Sequence, residues 1–301
     1  MLNLLMGDRP NAEPVFTLVE LPLAYLNEDF RQYLANRSQD PQLKDFVQEL
    51  ERTGGEASVN NLSPYITSKF NRFLHDKTLR AIVGHGEMRL NFGQVLDQGQ
   101  VLIVKLGWGR FGSQTADILL GLLLSRFRSA VMARAEQPRA DRRPFFLYVD
   151  EIGSLAQDEN FSQLLAEARK YRVGLVLATQ YACQLKGKDS RADTLAAVLG
   201  NVGTVAAFRL GVQDAEALAP IFAPRFQVQD LLELPNFQGY VRLHLDNAAV
   251  PPASFVVEKP VQSGTAERAQ RLCRASLERW GVAPEECNRR IEERRRFVQD
   301  L

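Results

Sequence analysis

The chain has 301 residues, 45% hydrophobic and 24% charged, and its 37 basic and 36 acidic side chains leave a net charge of +1. These are the values of a globular protein of about two domains, and they exclude wholesale disorder, a collagen-like repeat and a global basic field for nucleic acid. Three scattered cysteines without a CxxC, three histidines, no apolar run of about 18 residues and no signal-peptide pattern at the start argue against a zinc site or a membrane span; a reducing, cytoplasmic setting is expected.

Residues 1–14 read as an N-terminal extension, and 15–84 as a helical subdomain with almost no strand signal. In DPQLKDFVQELER the apolar residues Leu43, Phe46, Val47 and Leu50 fall on one helical face, and Asp40-Pro41 supplies an N-cap followed by proline at the first helical position. From His85 the pattern changes. QVLIVKL, residues 100–106, is a β-branched apolar run after the turn signal Asp97-Gln98-Gly99. A long helix is predicted from about Ser113 to Arg134, then the strand FFLYV, a helix over about 160–171 and the strand VGLVL. Further strands are predicted in GTVAAFRLG, residues 203–211, and GYVRLHL, residues 239–245, with short helices between them. Apolar strands alternating with helices imply an α/β domain over 85–258 with a mainly parallel sheet covered on both faces. A helical, charged tail follows over 259–301. Arg289, Arg290, Arg294, Arg295 and Arg296 fit either a phosphate-contacting surface or a solvated helix interleaved with glutamates, and the glutamates favour the second.

The chemistry-bearing residues sit at two strand ends. FFLYVDE closes on adjacent carboxylates, Asp150 and Glu151. At the carboxyl end of a strand in an α/β sheet, side chains project into the crevice where ligands bind. In a nucleotide hydrolase Asp150 would hold the Mg²⁺ shell and Glu151 would polarise the attacking water, a Walker B arrangement. The next predicted strand ends in Thr179-Gln180, and a polar residue at that end, Gln180, could orient water or sense a phosphate.

LYVDEIGSLAQDENFSQLLAEARKYRVGLVLATQY, followed by LGNVGTVAAFRLGVQDAEALAP, resembles the HerA–FtsK group of motor ATPases, and within it the TraD/TraG-like coupling proteins of conjugative type IV secretion. The segments ELPLAYLNEDFRQYLANRSQDPQLKDF and NFGQVLDQGQVLIVKLGWGRFGSQTADILLGLLL are similar to the same proteins, and the resemblance runs from about Val15 to about Val257. It implies a RecA-like fold, ATP and Mg²⁺ as cofactors, a hexameric ring and DNA as the translocated partner. Asp150 and Glu151 match the Walker B pair, with Asp150 at the metal, and Gln180 matches the polar sensor. Arg169 matches an arginine presented to a neighbouring subunit, where it would stabilise charge on transferred phosphate. Arg172 and Arg209 are reserve candidates for that role.

The resemblance also calls for GxxxxGK[ST], whose backbone amides and lysine cradle the phosphates, and the 301 residues contain none. Leu185-Lys186-Gly187-Lys188-Asp189 lacks the first glycine and the Ser/Thr. The expectation is therefore an incomplete RecA-like sheet without its phosphate-loop strand: the Walker B and sensor half of a DNA-translocating ATPase, inactive alone. It would be a gene fragment, a subunit completed by a phosphate-loop chain, or a degenerate paralogue. The rival is a non-catalytic protein that docks DNA or a partner and keeps the motor fold as scaffold. A third reading, an unrelated α/β enzyme with an Asp150–Glu151 acid/base pair, lacks a further nucleophile or metal ligand.

Overall fold

A computed structural model describes residues 14–52, 64, 68, 74–87, 89–107, 109, 112–155, 158–185, 194–245, 248–259, 261 and 263–301. Much of the expected helical stretch NLSPYITSKFNRFLHDKTLRAIVG, residues 61–84, and the glycine-lysine stretch 186–189 lie outside them. The chain forms two compact units, one drawn from the described residues up to Leu90 with Gly264–Leu301, the other from Asn91–Ser263.

The first unit is helical. It comprises α1 (Leu21–Leu26), α2 (Glu28–Arg37), α3 (residues 41–52), α4 (Lys77–Val83), α11 (Ala266–Trp280) and α12 (Pro284–Gln299). Side-chain caps set several starts. Asn27 accepts from the Phe30 amide at 2.9 Å to begin α2, and Asp76 accepts from Thr78 and Leu79 to begin α4. Phe16, Leu21, Ala24, Phe30, Leu34 and Val47 form a buried cluster that Val298 of α12 joins. The opposite ends of the chain thus share one core.

The second unit carries the strands. Helices α5 (Phe92–Asp97) and α6 (Ser113–Ala133) precede β1 (Phe145–Val149), α7 (Glu159–Glu167) and β2 (Val173–Leu177). β1 and β2 pair in parallel, Phe145 opposite Val173 and Val149 opposite Leu177. Parallel neighbours need a crossover, and α7 supplies it. Phe127 of α6 packs its ring 5.9 Å from Phe145 and 6.1 Å from Phe92 of α5. The opposite face is bare: Phe146 is 59% exposed and Tyr148 72%.

Then come α8 (Thr194–Asn201), β3 (Val205–Ala207), α9 (Val212–Phe222), α10 (Val228–Leu232) and β4 (Gln238–Arg242), the small strands β5 (His244–Leu245) and β6 (Ala248–Ala249), and β7 (Ala253–Val256). The α/β class read from the sequence holds. Among the described strands, however, parallel pairing is confined to β1 and β2. β3, β4 and β7 form an antiparallel sheet of their own. The connection 243–252 from β4 to β7 is shorter than the roughly dozen residues a parallel crossover takes, so that pair runs antiparallel.

QVLIVKL departs from expectation. Residues 101–106 form no strand, and Val101 and Ile103 are 90% and 84% exposed. Strand preference is a preference for a pleated, half-buried surface, and a run without a neighbouring ladder does not realise it.

Candidate functional site

The site stands at the carboxyl ends of β1 and β2. The ladder runs one step past the strands: the Ala178 amide donates to Val149 O at 2.9 Å and the Ile152 amide to Ala178 O at 3.0 Å. Buried Ile152 and Leu155 anchor the 3₁₀ turn Ile152–Leu155 that follows. Two residues bridge strand and turn. Asp150 is exposed; Glu151 is half-buried and held at φ 62°, in the left-handed region. That conformation costs a side-chain-bearing residue about 1–2 kcal/mol and persists only where the surroundings enforce it.

The surroundings come from β2. The Thr179 hydroxyl lies 3.2 Å from Glu151 Oε1 and the Gln180 amide donates to Oε2 at 3.4 Å. The Thr179 hydroxyl also lies 3.2 Å from Tyr181 O, so its single proton is divided between two acceptors. Gly153 marks how tight the corner is. A Cβ there would sit 2.9 Å from Gln184 Oε1 and 3.1 Å from Glu151 Oε1.

Beyond Gln184 opens a cavity of about 530 Å³, lined by Tyr181, Cys183, Gln184, Gly211, Val212, Gln213 and Asp214. Asp214, in the first turn of α9 and 5% exposed, accepts from the Ala182 and Cys183 amides at 3.1 and 2.8 Å. It ties the turn after β2 to α9 and shapes one wall of the cavity.

The structure brings three of the four sequence-predicted site residues to one place: Asp150, Glu151 and Gln180. Gln180 reaches Glu151 through its backbone amide. Arg169 is elsewhere. It lies on the 3₁₀ turn Ala168–Tyr171 before β2, so the five residues of β2, roughly 17 Å at about 3.3 Å each, separate it from the carboxylates. Arg172, at φ 56°, donates to Arg142 O at 3.0 Å beside that turn. Arg134, almost fully buried, donates to Arg143 O and Tyr171 O and to the Asp97 carboxylate. These two arginines satisfy the backbone at the amino ends of the strands. Arg209 is exposed just after β3. Thr179, Gln184 and Asp214 complete the corner and were not among the predicted site residues. The polar Thr179 at a strand end was the one readable signal; Gln184 and Asp214 become relevant only when the turn after β2 folds back.

The donor set suits a hard cation in part. An exposed carboxylate such as Asp150 is the oxygen ligand Mg²⁺ takes. Glu151 is occupied by β2, and among the described residues no group of three or more His, Cys, Asp or Glu stands ready to hold a metal. A cation here would need its remaining ligands from phosphate oxygens and water.

A family model described as the TraM recognition site of TraD and TraG matches residues 144–221. That span contains β1, β2, both carboxylates and the lining of the cavity. No protein with a curated function matches the sequence. Solved structures of the plasmid coupling protein TrwB are similar in part. The form with ADP and Mg²⁺ gives a TM-score of 0.49 at 13% identity, covering 81% of this chain and 58% of that one. The form with the GTP analogue GDPNP gives 0.47 at 13% identity, covering 80% and 61%. The chain therefore spans about three fifths of the length of these solved proteins. The resemblance to TraD/TraG-like coupling proteins read from the sequence is met by a family match over residues 144–221.

Proposed function

We propose that this chain supplies the Walker B and sensor half of a DNA-translocating ATPase of the HerA–FtsK group, working as TraD/TraG-like coupling proteins do, with ATP and Mg²⁺ as cofactors. The observation that carries the reading is the placement of Glu151. Its carboxylate is held out of β1 by the Thr179 hydroxyl and the Gln180 amide at the end of the neighbouring parallel strand. There a carboxylate accepts a proton from an attacking water, and the neighbouring strand fixes its direction. Asp150 would hold Mg²⁺ jointly with phosphate oxygens; the ion would supply charge neutralisation on the transferred phosphate. Gln180 positions Glu151 through its backbone and leaves its exposed side chain to the γ-phosphate side. Arg169, at the far end of β2, serves a neighbouring subunit of a hexameric ring in this reading.

The 301 residues hold no phosphate-cradling loop. We assign the cradle to a segment carrying GxxxxGK[ST], preceding this one in a longer polypeptide or carried by a separate one, and place it against the exposed face of Phe146, Tyr148 and Val176. DNA and type IV secretion components are the further partners of this assembly, at the inner face of the membrane.

The test is ATP hydrolysis with Mg²⁺ and DNA, by the chain alone and with such a polypeptide added. No turnover alone and DNA-stimulated turnover in the mixture are expected. Glu151→Gln should lower the latter by about 10²–10⁴-fold, the usual worth of a positioned general base. Turnover that survives Glu151→Gln would sink the assignment.

The description of the matched family favours a second reading, in which residues 144–221 recognise a TraM-like partner. It predicts binding of such a partner that Glu151→Gln leaves intact and that Phe146→Ser with Tyr148→Ser abolishes, measured by calorimetry.

A further inference from the structure

Helix α11 is an anomaly in a folded unit. It runs for fifteen residues, AERAQRLCRASLERW, and none of them is buried. Every residue from Ala266 to Arg279 is exposed, and Trp280 is only half-buried. Yet the sequence is not that of a solvated helix. At 3.6 residues per turn, Ala269, Leu272, Cys273, Ser276, Leu277 and Trp280 share one side, and the charged residues share the other. Leu272 and Leu277 are 62% and 66% exposed. The Thr265 hydroxyl caps the first turn by accepting from the Arg268 amide at 3.2 Å. The helix is thus well begun, but among the described residues nothing buries its apolar side. A helix of this length draws most of its stability in water from burying such a side.

The charges are ordered around that side. Arg268 and Arg279 lie just beyond Leu272, and Arg274 lies beyond Leu277. Glu267 and Glu278 follow next behind Arg274, with Arg271 at the back. The guanidinium of Arg279 sits 4.7 Å from the centroid of the Trp280 ring. The apolar stripe is therefore bordered by two arginines on one edge and by Gln270 and then Arg274 on the other. Two copies of α11 laid antiparallel would set the Arg268 and Arg279 edge of one against that of the other.

The relief of the stripe separates the other occupants. Near its midline lie the small residues Ala269, Cys273 and Ser276, with Trp280 at the carboxyl end, and its two leucines sit at opposite margins. A helix that fills a protein groove presents several bulky anchors spaced along its midline, which enter pockets, and here there is one, at the end. A broad, smooth apolar side rimmed by arginines and closed by a tryptophan suits the headgroup boundary of a lipid bilayer, where long cationic side chains reach out to phosphates. Among the described residues no helix is long and apolar enough to cross a membrane, and α11, with six charges, lies on a surface if it meets one at all.

We propose that α11 is an in-plane membrane-surface helix that binds anionic phospholipid. Leu272, Leu277 and Trp280 enter the acyl boundary, and Arg268, Arg274 and Arg279 engage lipid phosphates. This inference is independent of the nucleotide chemistry proposed above, since α11 belongs to the other compact unit and holds none of the site residues.

The test is flotation of the full chain with vesicles of phosphatidylcholine alone and of phosphatidylcholine containing one third phosphatidylglycerol. Binding to the anionic vesicles at least tenfold above the neutral ones is expected, falling as salt is raised. Leu272→Asp with Leu277→Asp should lower it by tenfold or more, and so should Arg268→Gln with Arg279→Gln. None of these side chains is buried, so circular dichroism and melting of the variants should match the parent. Absence from the floated fraction, equal binding to both vesicle types, or binding that survives Leu272→Asp with Leu277→Asp would each overturn the proposal. So would a dimer in sedimentation that the leucine substitutions dissociate.

Discussion

Glu20 has no solvent-exposed surface and Arg294 is 5% exposed, and the two are joined at 2.9 Å. Glu20 also accepts from the Thr17 amide and hydroxyl at 2.7 and 2.8 Å, while Arg294 donates to Gly84 O at 2.7 Å. A buried ion pair with its remaining hydrogen bonds satisfied is costly to break from one side, because the surviving charge stays buried. Arg294→Leu should therefore destabilise the helical unit by about 3–5 kcal/mol in urea unfolding. A loss below about 1 kcal/mol, the range of exposed pairs, would mean that the pair is hydrated. The exposed arginines of α12 behave differently. Hydrogen bonds from Arg289 and then Arg290 hold the Glu286 carboxyl down at about 2. A carboxylate depressed on folding stabilises above its unfolded value of about 4.3 and loses that contribution as pH falls toward 2. Glu286 is half-exposed at the surface of α12, so the effect on global stability is small and screened by salt. Carboxyl ¹³C titration should show its midpoint well below the ordinary range, and Arg289→Gln with Arg290→Gln should return it. An ordinary midpoint in the parent would remove these pairs. From the sequence, the arginines of the tail read as one class. The structure divides them, because Arg294 falls on the side of α12 that also carries Cys287, Ile291 and Val298, all buried.

Helices α3, α6 and α7 fall close to the spans read from the sequence, since helical signals are local. Strand pairing is not local. FFLYV and VGLVL lie on either side of one helix, and the parallel pair they form was legible. QVLIVKL has the same composition and makes no ladder, because a strand is defined by its neighbour. β3 and β4 were readable as strands, but their sheet is completed by β7, which no local signal pairs with them. Glycine at β4 shows the same dependence. Gly239 is buried, and a Cβ there would lie 2.6 Å from the Phe255 ring and 2.8 Å from Ala207 O. The carbonyl belongs to a paired backbone and cannot step aside. Gly239→Ala should cost about 1–3 kcal/mol by overpacking and broaden amide signals across β3, β4 and β7. Retention of full stability would show that β3 and β4 separate easily. At the site, the adjacent carboxylates and the Thr179-Gln180 strand end were legible because chemistry concentrates at strand ends. The left-handed Glu151 and the Gln184 contact were not, since both depend on how two turns meet.

At the scale of the whole molecule, the unsatisfied surface is the more telling feature. The β1–β2 sheet has one face against α6 and the other turned outward, with Phe146, Tyr148 and Val176 aligned by register. A flat apolar sheet face with free strand edges promotes association of copies. The chain alone should therefore associate as its concentration rises, and Phe146→Ser with Tyr148→Ser should move the onset of light scattering to a several-fold higher concentration. These side chains are exposed, so the substitutions should leave the melting temperature within about 2–4 °C of the parent, the shift that 1 kcal/mol produces in a domain of this size. The same face is where the phosphate-loop polypeptide is proposed to add. Its addition should suppress scattering by the parent chain, and the double substitution should weaken complemented ATP turnover at least tenfold. If scattering were unchanged by the substitutions, self-association would have to arise elsewhere. If scattering fell while complementation persisted, the bare face would be a liability of the isolated chain and the phosphate-holding half would meet it along another surface.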